Sequence, residues 1–361
     1  MTMTAPHHAA LHDTALTRAL GMRFPVVQTA MGWVADPGLV AATTNAGGFG
    51  FLAAAVMGPG EIGPALAAVR AKTDGQFGVN FHMFQPTRDE VIAAILDHKD
   101  RVRAVSYGRG PDAKTIAKFK DAGILCMPTV GAVKHAVKAV ALGADIITVQ
   151  GGEGGGHTGT VPTSLLLPQV LDAVDVPVVA AGGFHDGRGL AAALAWGAAG
   201  IAMGTRFLMT TDSPVNRQTL ERYLKVKDPT DVRITHAVDG LSQRFVYNEE
   251  IRRLEGMGKL QRLAEAMHHA RKWGREAGMS YAQMAKLAWS SMTSEDSGFA
   301  ATVQAPNLPR LVQLGLLQGD TKAGLLPGGQ VAALINQLES CEDLIARIMR
   351  EAEARLSALC H

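Results

Sequence analysis

Apolar and β-branched residues gather into short runs along the chain, at 24–29, 50–54, 77–81, 103–107, 124–129, 145–149, 176–181 and 200–203. Runs of this length, with glycines clustered at their ends, read as strands buried on both faces. Between them lie stretches with helical spacing, at 36–46, 61–72, 88–98, 113–122, 132–142, 164–174 and 187–196. Strands that alternate with helices predict a parallel sheet, because parallel neighbours need a crossover of a dozen or more residues. Eight such units read most simply as a closed α/β barrel, the TIM (β/α)8 barrel. The alternative is an open doubly wound sheet, but no Gly-x-Gly-x-x-Gly turn follows the first strand. The glycine-rich stretch 47–50 enters a strand and reads as a tight turn.

Past Thr211 the pattern changes. Residues 244–291 read as helical, rich in Lys, Arg, Met and Ala and without strand signals, and a second helical stretch covers 329–359. The expected organisation is a barrel over 1–215, a mainly helical cap that selects substrate over 216–305, and C-terminal helices over 306–361 packing back on the barrel. The appendage is expected on one rim.

Composition narrows the class. With 47% hydrophobic and 19% charged residues, the 361-residue chain has a large core. A net charge of +2 argues against general affinity for nucleic acid. Cys126, Cys341 and Cys360 are odd in number and far apart, which fits a reducing compartment without a disulfide framework. Residues 1–20 do not form a secretory signal, and no uninterrupted apolar run reaches the ~18 residues of a spanning helix. A cytoplasmic enzyme with no membrane partner is the expectation.

Barrel enzymes place their chemistry at the C-terminal ends of the strands, with phosphate groups often bound after strands seven and eight. Strand seven here runs into Ala181-Gly182-Gly183, and strand eight into Met203-Gly204-Thr205-Arg206. A phosphate needs converging backbone N–H donors, hence positions with no Cβ in the way. Thr205 adds a hydroxyl, and a helix beginning near Gly187 is expected to add its positive end. Any one of these glycines could simply make a tight turn. Two strand ends with the same feature favour a phosphate site.

After strand six comes Gln150-Gly151-Gly152-Glu153-Gly154-Gly155-Gly156-His157-Thr158-Gly159. Six glycines around one histidine allow backbone to approach a flat ligand and present an imidazole, the side chain best suited to moving protons near neutrality. A lone histidine is usually structural, and the other eleven are read so. No second ligand stands at metal spacing from His157. Met31 and Gly32 follow strand one, and the amides of Asn80 and Gln150 sit at strand ends, where they need polar partners.

These pieces resemble the nitronate monooxygenase and 2-nitropropane dioxygenase family, FMN-dependent barrels related to NADH:quinone and enoyl reductases. The resemblance rests on 28–32, 45–50, 78–80, 150–159, 180–183 and 202–206, with Gly329-Gln330. It implies FMN contacts from Met31, Gly32, Asn80, Gln150, Gly155, Gly156, Gly182, Gly183, Gly204 and Thr205, and His157 as catalytic base. Segments 26–35, 152–159, 182–194, 283–292 and 325–331 are similar to a narrower branch. That branch serves bacterial steroid catabolism, on a hydroxy-methyl-oxo-hexahydroindene-carboxyl-CoA intermediate. Gly154 departs from the alanine usual in nitronate monooxygenases, which shifts the expected substrate toward a CoA thioester.

A proton next to a thioester carbonyl is acidified much as one next to a nitro group, so the barrel alone does not choose between them. Nitronate oxidation and NAD(P)H:quinone reduction stay open, with NAD(P)H as a partner and a homodimer as an assembly. So does a different class, a non-flavin barrel isomerase or lyase acting on a phosphorylated metabolite, or a non-catalytic ligand-binding barrel. Arg252, Arg253, Lys259, Arg262, Arg271, Lys272 and Arg275 are cations that could meet CoA phosphates or simply face water.

Overall fold

The computed structural model describes residues 11–83, 85–108, 112–258, 261 and 308–359. The chain separates into two compact units: Met1–Gly154 with Gly159–Pro214 and Leu334–His361, and Gly155–Thr158 with Val215–Ala333.

The first unit is built on nine parallel strand segments. They are β1 Val26–Gln28, β2 Phe49–Ala53, β3 Phe77–Phe81, β4 Val102–Tyr107, β5 Leu125–Cys126, β6 Thr129–Val130, β7 Ile147–Gln150, β9 Val178–Ala181 and β10 Gly200–Met203. Their order is β5-β4-β3-β2-β1-β10-β9-β7-β6. The two ends of that sheet are pieces of one strand, interrupted at Met127-Pro128 because proline has no N–H to give the ladder. Hydrogen bonds bridge the interruption. Met127 N–H donates to Val105 on the β4 side, and Thr148 N–H on β7 donates to Pro128. The sheet therefore closes on itself with eight strand positions, as the alternation predicts, and the doubly wound alternative falls.

Side chains fill the barrel. Val27, Phe49, Phe51, Ala104, Met127, Ile146, Val179 and Ala202 form one buried cluster, joined by Leu16 and Leu20 of helix Ala15–Leu20. Gly78 lies under the rings of Phe49 and Phe51, which take the space its side chain would need. Each helix starts within a residue of its expected place, for example Pro37–Asn45, Arg88–Asp97 and Gly187–Ala195. Asp36, Asp112 and Asp186 side chains accept first-turn N–H groups, which fixes three of those starts. The C-terminal helix Cys341–Leu359 packs on Gly187–Ala195, where Gly187 lets the backbone at Ile348 and Ala352 come close.

The second unit is not purely helical. β11 Val232–Thr235, β12 Gln243–Val246 and the two-residue β8 Gly156–His157 form an antiparallel sheet in the order β11-β12-β8. The helical reading of 244 onward is thus corrected over 244–246; its strand pairs with segments from elsewhere in the chain, so local pattern could not show it. Helix Glu249–Gly256 follows, and most of the remaining stretch lies outside the described residues. Helix Leu308–Leu316 belongs with this unit, tied to it by Asn216 N–H donating to Leu316 and by Thr219 Oγ1 donating to Gly315. The helical stretch expected over 329–359 consists of a short 3-10 turn, Gln330–Leu334, and helix Cys341–Leu359.

Candidate active site

The strand-end residues singled out from sequence in the first unit stand at one rim of the barrel. Met31 and Gly32 follow β1, Asn80 is in β3, Gln150 ends β7, Gly182 and Gly183 follow β9, and Gly204 and Thr205 follow β10. The turns after β1 and β10 converge: a methyl on Gly204 would come within 3.1 Å of Thr29 Oγ1 and 3.5 Å of Met31 Sδ. Asn80 Nδ2 donates to the Ser106 carbonyl on β4 at 3.1 Å, which orients the amide. A methyl on Gly154 would lie 2.6 Å from Gln150 Nε2, so an alanine there would make the Gln150 amide shift.

The paired glycines after β9 differ in purpose. Both hold left-handed backbone, with φ of 96° at Gly182 and 83° at Gly183. A Cβ on Gly182 would press on Gly151 N and Thr163 Oγ1, both at 3.0 Å, so this glycine packs one loop against another. Over Gly183 the nearest atom is Glu153 Cβ at 3.7 Å, which leaves its backbone approachable.

Two helices start at this rim, and they correct one expectation. At Gly187–Ala195, Asp186 Oδ1 accepts from Gly189 N–H at 3.2 Å and Glu351 Oε2 accepts from Gly187 N–H at 2.9 Å. Its positive end already faces two carboxylates, so it is not the phosphate donor expected from sequence. The short helix Thr205–Leu208 instead begins at Gly204 with no side-chain cap. Backbone N–H donors, the Thr205 hydroxyl and an approachable Gly183 suit a phosphate chemically. Arg206 is structural: it is buried, donates to the carbonyls of Met209 at 2.6 Å and Gln337 at 3.3 Å, and burial lowers its pKa to about 10. Glu153, within the glycine loop, accepts from Thr163 N–H and Oγ1–H at 2.9–3.1 Å and so caps helix Thr163–Leu171.

Gly155, Gly156 and His157 belong to the second unit. A Cβ on Gly155 would stand 2.5 Å from Gly328 C and 2.6 Å from Gly329 N, so backbone lies directly on backbone there. His157 pairs with Gln243 across β8 and β12, and Thr158 N–H donates to Ser242 O at 3.1 Å. The imidazole is half exposed, and its Nε2 lies 2.8 Å from Oδ2 of Asp239, whose side chain is 6% exposed. Burial pushes the Asp239 carboxyl up, but the hydrogen bond and charge of His157, the Gln243 amide and Leu241 N–H outweigh it and hold it below the usual carboxylate range.

Asp239 was not singled out from sequence. Its one local signal is an Asp-Gly turn set among Ala237, Val238 and Leu241, an acid in apolar surroundings. Of the expected appendage cations, Lys259, Arg262, Arg271, Lys272 and Arg275 lie outside the described residues. Arg253 is held by Glu250 through two hydrogen bonds of 2.7 and 2.9 Å.

A closed parallel barrel with glycine and amide residues at its strand ends, in a chain that also carries a histidine–carboxylate pair, defines a barrel enzyme. The family model for nitronate monooxygenase matches residues 13–351. The (3aS,4S,5R,7aS)-5-hydroxy-7a-methyl-1-oxo-octahydro-1H-indene-4-carboxyl-CoA dehydrogenase of Rhodococcus jostii (strain RHA1) is 45% identical over 346 residues, 96% of this chain and 97% of that protein. Among solved structures, FabK from Thermotoga maritima superposes with a TM-score of 0.76 at 28% identity, covering 96% of this chain and 98% of that one. Nitroalkane oxidase from Streptomyces ansochromogenes gives 0.74 at 28% identity, covering 96% and 100%. The chain belongs to the nitronate monooxygenase family and is an oxidoreductase.

Proposed function

We propose that the protein is an FMN-dependent oxidoreductase acting at the carbons α and β to the thioester of a bicyclic carboxyl-CoA intermediate of steroid degradation, with His157 as base. The observation that carries the substrate class is the similarity to the R. jostii carboxyl-CoA dehydrogenase, which runs through both units rather than the barrel alone. FMN, when bound, supplies two-electron redox chemistry at its N5.

The protein's own residues supply the rest. Gly183 and the Gly204-Thr205 turn hold the phosphate by backbone N–H and hydroxyl donors, with Gly182 setting the turn before it. Met31, Gly32, Asn80 and Gln150, with Gly155 and Gly156, hold the ring system. His157 removes the proton from the carbon next to the thioester carbonyl, which acidifies that C–H bond. General-base catalysis of this kind contributes ~10²–10⁴-fold.

A CoA thioester also brings phosphates, and the second unit has cations for them. Arg233 lies 4.1 Å and Arg252 5.9 Å from the Tyr247 ring centre, and Arg222 Nη2 donates to the Tyr247 carbonyl at 2.9 Å. None of the three forms an ion pair among the described residues. Guanidinium groups suit phosphate oxygens through paired N–H donors. NAD(P)H as electron partner and a homodimer belong to the same reading, open to a cofactor-oxidation assay and to sedimentation.

His157→Asn is expected to keep its FMN and fold while flavin reduction by substrate slows ~10²–10⁴-fold in anaerobic stopped flow. Loss of FMN in that variant would make His157 a cofactor contact instead. The family match and the likeness to a nitroalkane oxidase favour a second reading, nitronate oxidation. Comparing kcat/KM for a bicyclic carboxyl-CoA ester and for a simple alkyl nitronate decides between them, with the CoA ester expected to be the better substrate.

A further inference from the structure

Histidine offers two nitrogens, and a base must have its lone pair on the one that meets the substrate. Asp239 settles which. We propose that Asp239 is a positioning residue that fixes His157 as the Nε2–H tautomer, so that Nδ1 is the nitrogen that takes the substrate proton. The second half of this rests on the reading of His157 as base; the first half stands on the contact between the ring and an ionised Asp239 carboxylate.

The Asp239 carboxyl has its two oxygens committed in different directions. Oδ1 accepts from Leu241 N–H at 3.0 Å, and Oδ2 lies 2.8 Å from His157 Nε2. Being held below the usual carboxylate range, the group is ionised at neutral pH and can only accept. The short contact therefore requires the proton on Nε2. In a neutral ring the lone pair then resides on Nδ1. When Nδ1 gains a proton, the positive ring stays beside a buried negative oxygen, a charge-assisted pair that favours the product of proton transfer. The main chain is fixed as well. His157 and Gln243 are direct cross-strand partners, so their side chains share one face of the sheet, and the Asp239 carboxyl meets the ring there. Nothing in this pairing draws on the first unit, since His157, Asp239, Leu241 and Gln243 all belong to the second.

The arrangement makes Asp239→Asn informative in sign. Leu241 N–H will keep the amide oxygen on its side, which turns the NH₂ group toward Nε2. The amide then donates where the carboxylate accepted, and the ring proton moves to Nδ1, so the working lone pair is lost. In serine proteases the equivalent change leaves geometry intact, gives the wrong tautomer and costs ~10⁴ in kcat.

The test is long-range ¹H–¹⁵N correlation of the FMN-loaded protein labelled at histidine ring nitrogens, with His157→Asn identifying the His157 signals. Expected is an Nε2–H pattern for neutral His157 in the wild type and an Nδ1–H pattern in Asp239→Asn. In steady state, kcat for the CoA ester should fall ~10²–10⁴-fold in Asp239→Asn with KM changing much less, and Asp239→Asn should add no further loss to His157→Asn. A wild-type ring protonated on Nδ1 overturns the proposal, and that measurement does not depend on Asp239→Asn folding. An unchanged tautomer in a folded Asp239→Asn also overturns it. A tautomer that switches with no change in kcat supports Asp239 as the positioning residue and overturns His157 as the base.

Discussion

Two helices begin on the same rim of the barrel, one after β9 and one after β10, and they use their positive ends differently. Gly187–Ala195 meets Asp186 from its own N-cap and Glu351 from the C-terminal helix. Thr205–Leu208 has a glycine, Gly204, at its N-cap, which supplies no side-chain cap. Both are short steps from a glycine-rich strand end. Asp186 at the N-cap already sets the first apart in the sequence, and a second carboxylate 164 residues away adds to it. A helix start that the protein has already satisfied contributes to stability, whereas one left to backbone donors suits a bound anion.

Substitution should split the two ends cleanly. Gly204→Val places a branched side chain against Thr29 and Met31, at the turn proposed to hold the phosphate. Losing one or two hydrogen bonds to a charged group, at ~1.5–3 kcal/mol, weakens FMN retention by about 10–100-fold. Dialysis followed by absorbance of the retained flavin measures it, and full retention would remove the phosphate assignment. Glu351→Ala should do the reverse. Flavin content stays at the wild-type level, while stability falls by ~0.5–2 kcal/mol, as for a lost N-terminal cap. Urea unfolding reads the second effect. If Glu351→Ala sheds flavin, the contrast between the two helices collapses.

The smallest expected effect concerns reactivity away from the rim. Burial pushes the Cys126 and Cys341 thiols up to about 12, so at pH 8 both stay protonated and shielded. Peptide mapping after treatment with a thiol reagent should find neither residue labelled in the native protein and both labelled in urea. Labelling of native Cys341 would show that the C-terminal helix opens where Asp212 holds its first N–H at 2.6 Å.

The barrel was legible because its signals are local. Each strand is a short buried run, and each helix has its own aspartate or apolar periodicity, so elements could be placed almost residue by residue. The glycines after β9 and β10 were legible as strand ends, but Gly182 and Gly183 look the same in sequence and differ in what stands above them. The second unit was read less well. β12 owes its existence to β11 before it and to two residues, Gly156 and His157, lent from far upstream, a non-local pairing with no periodic trace. Asp239 was missed for the same reason: its partner His157 lies 82 residues away. The steroid-branch substrate class came from resemblance, not from any residue whose chemistry required it.

The brevity of β8 has a consequence for how this chain can change over time. Side chains in a strand alternate between faces, so a shift of one position sends every side chain to the opposite side. With only Gly156 and His157 in the strand, there is no longer stretch over which a shift could be absorbed. Side chains at Gly154 and Gly155 would already meet neighbours within 2.6 Å, and a single inserted or deleted residue between Gly155 and Thr158 would swing the imidazole away from Asp239 altogether. The length of this loop, as much as its composition, is what a lineage that keeps the histidine–aspartate pair must hold constant.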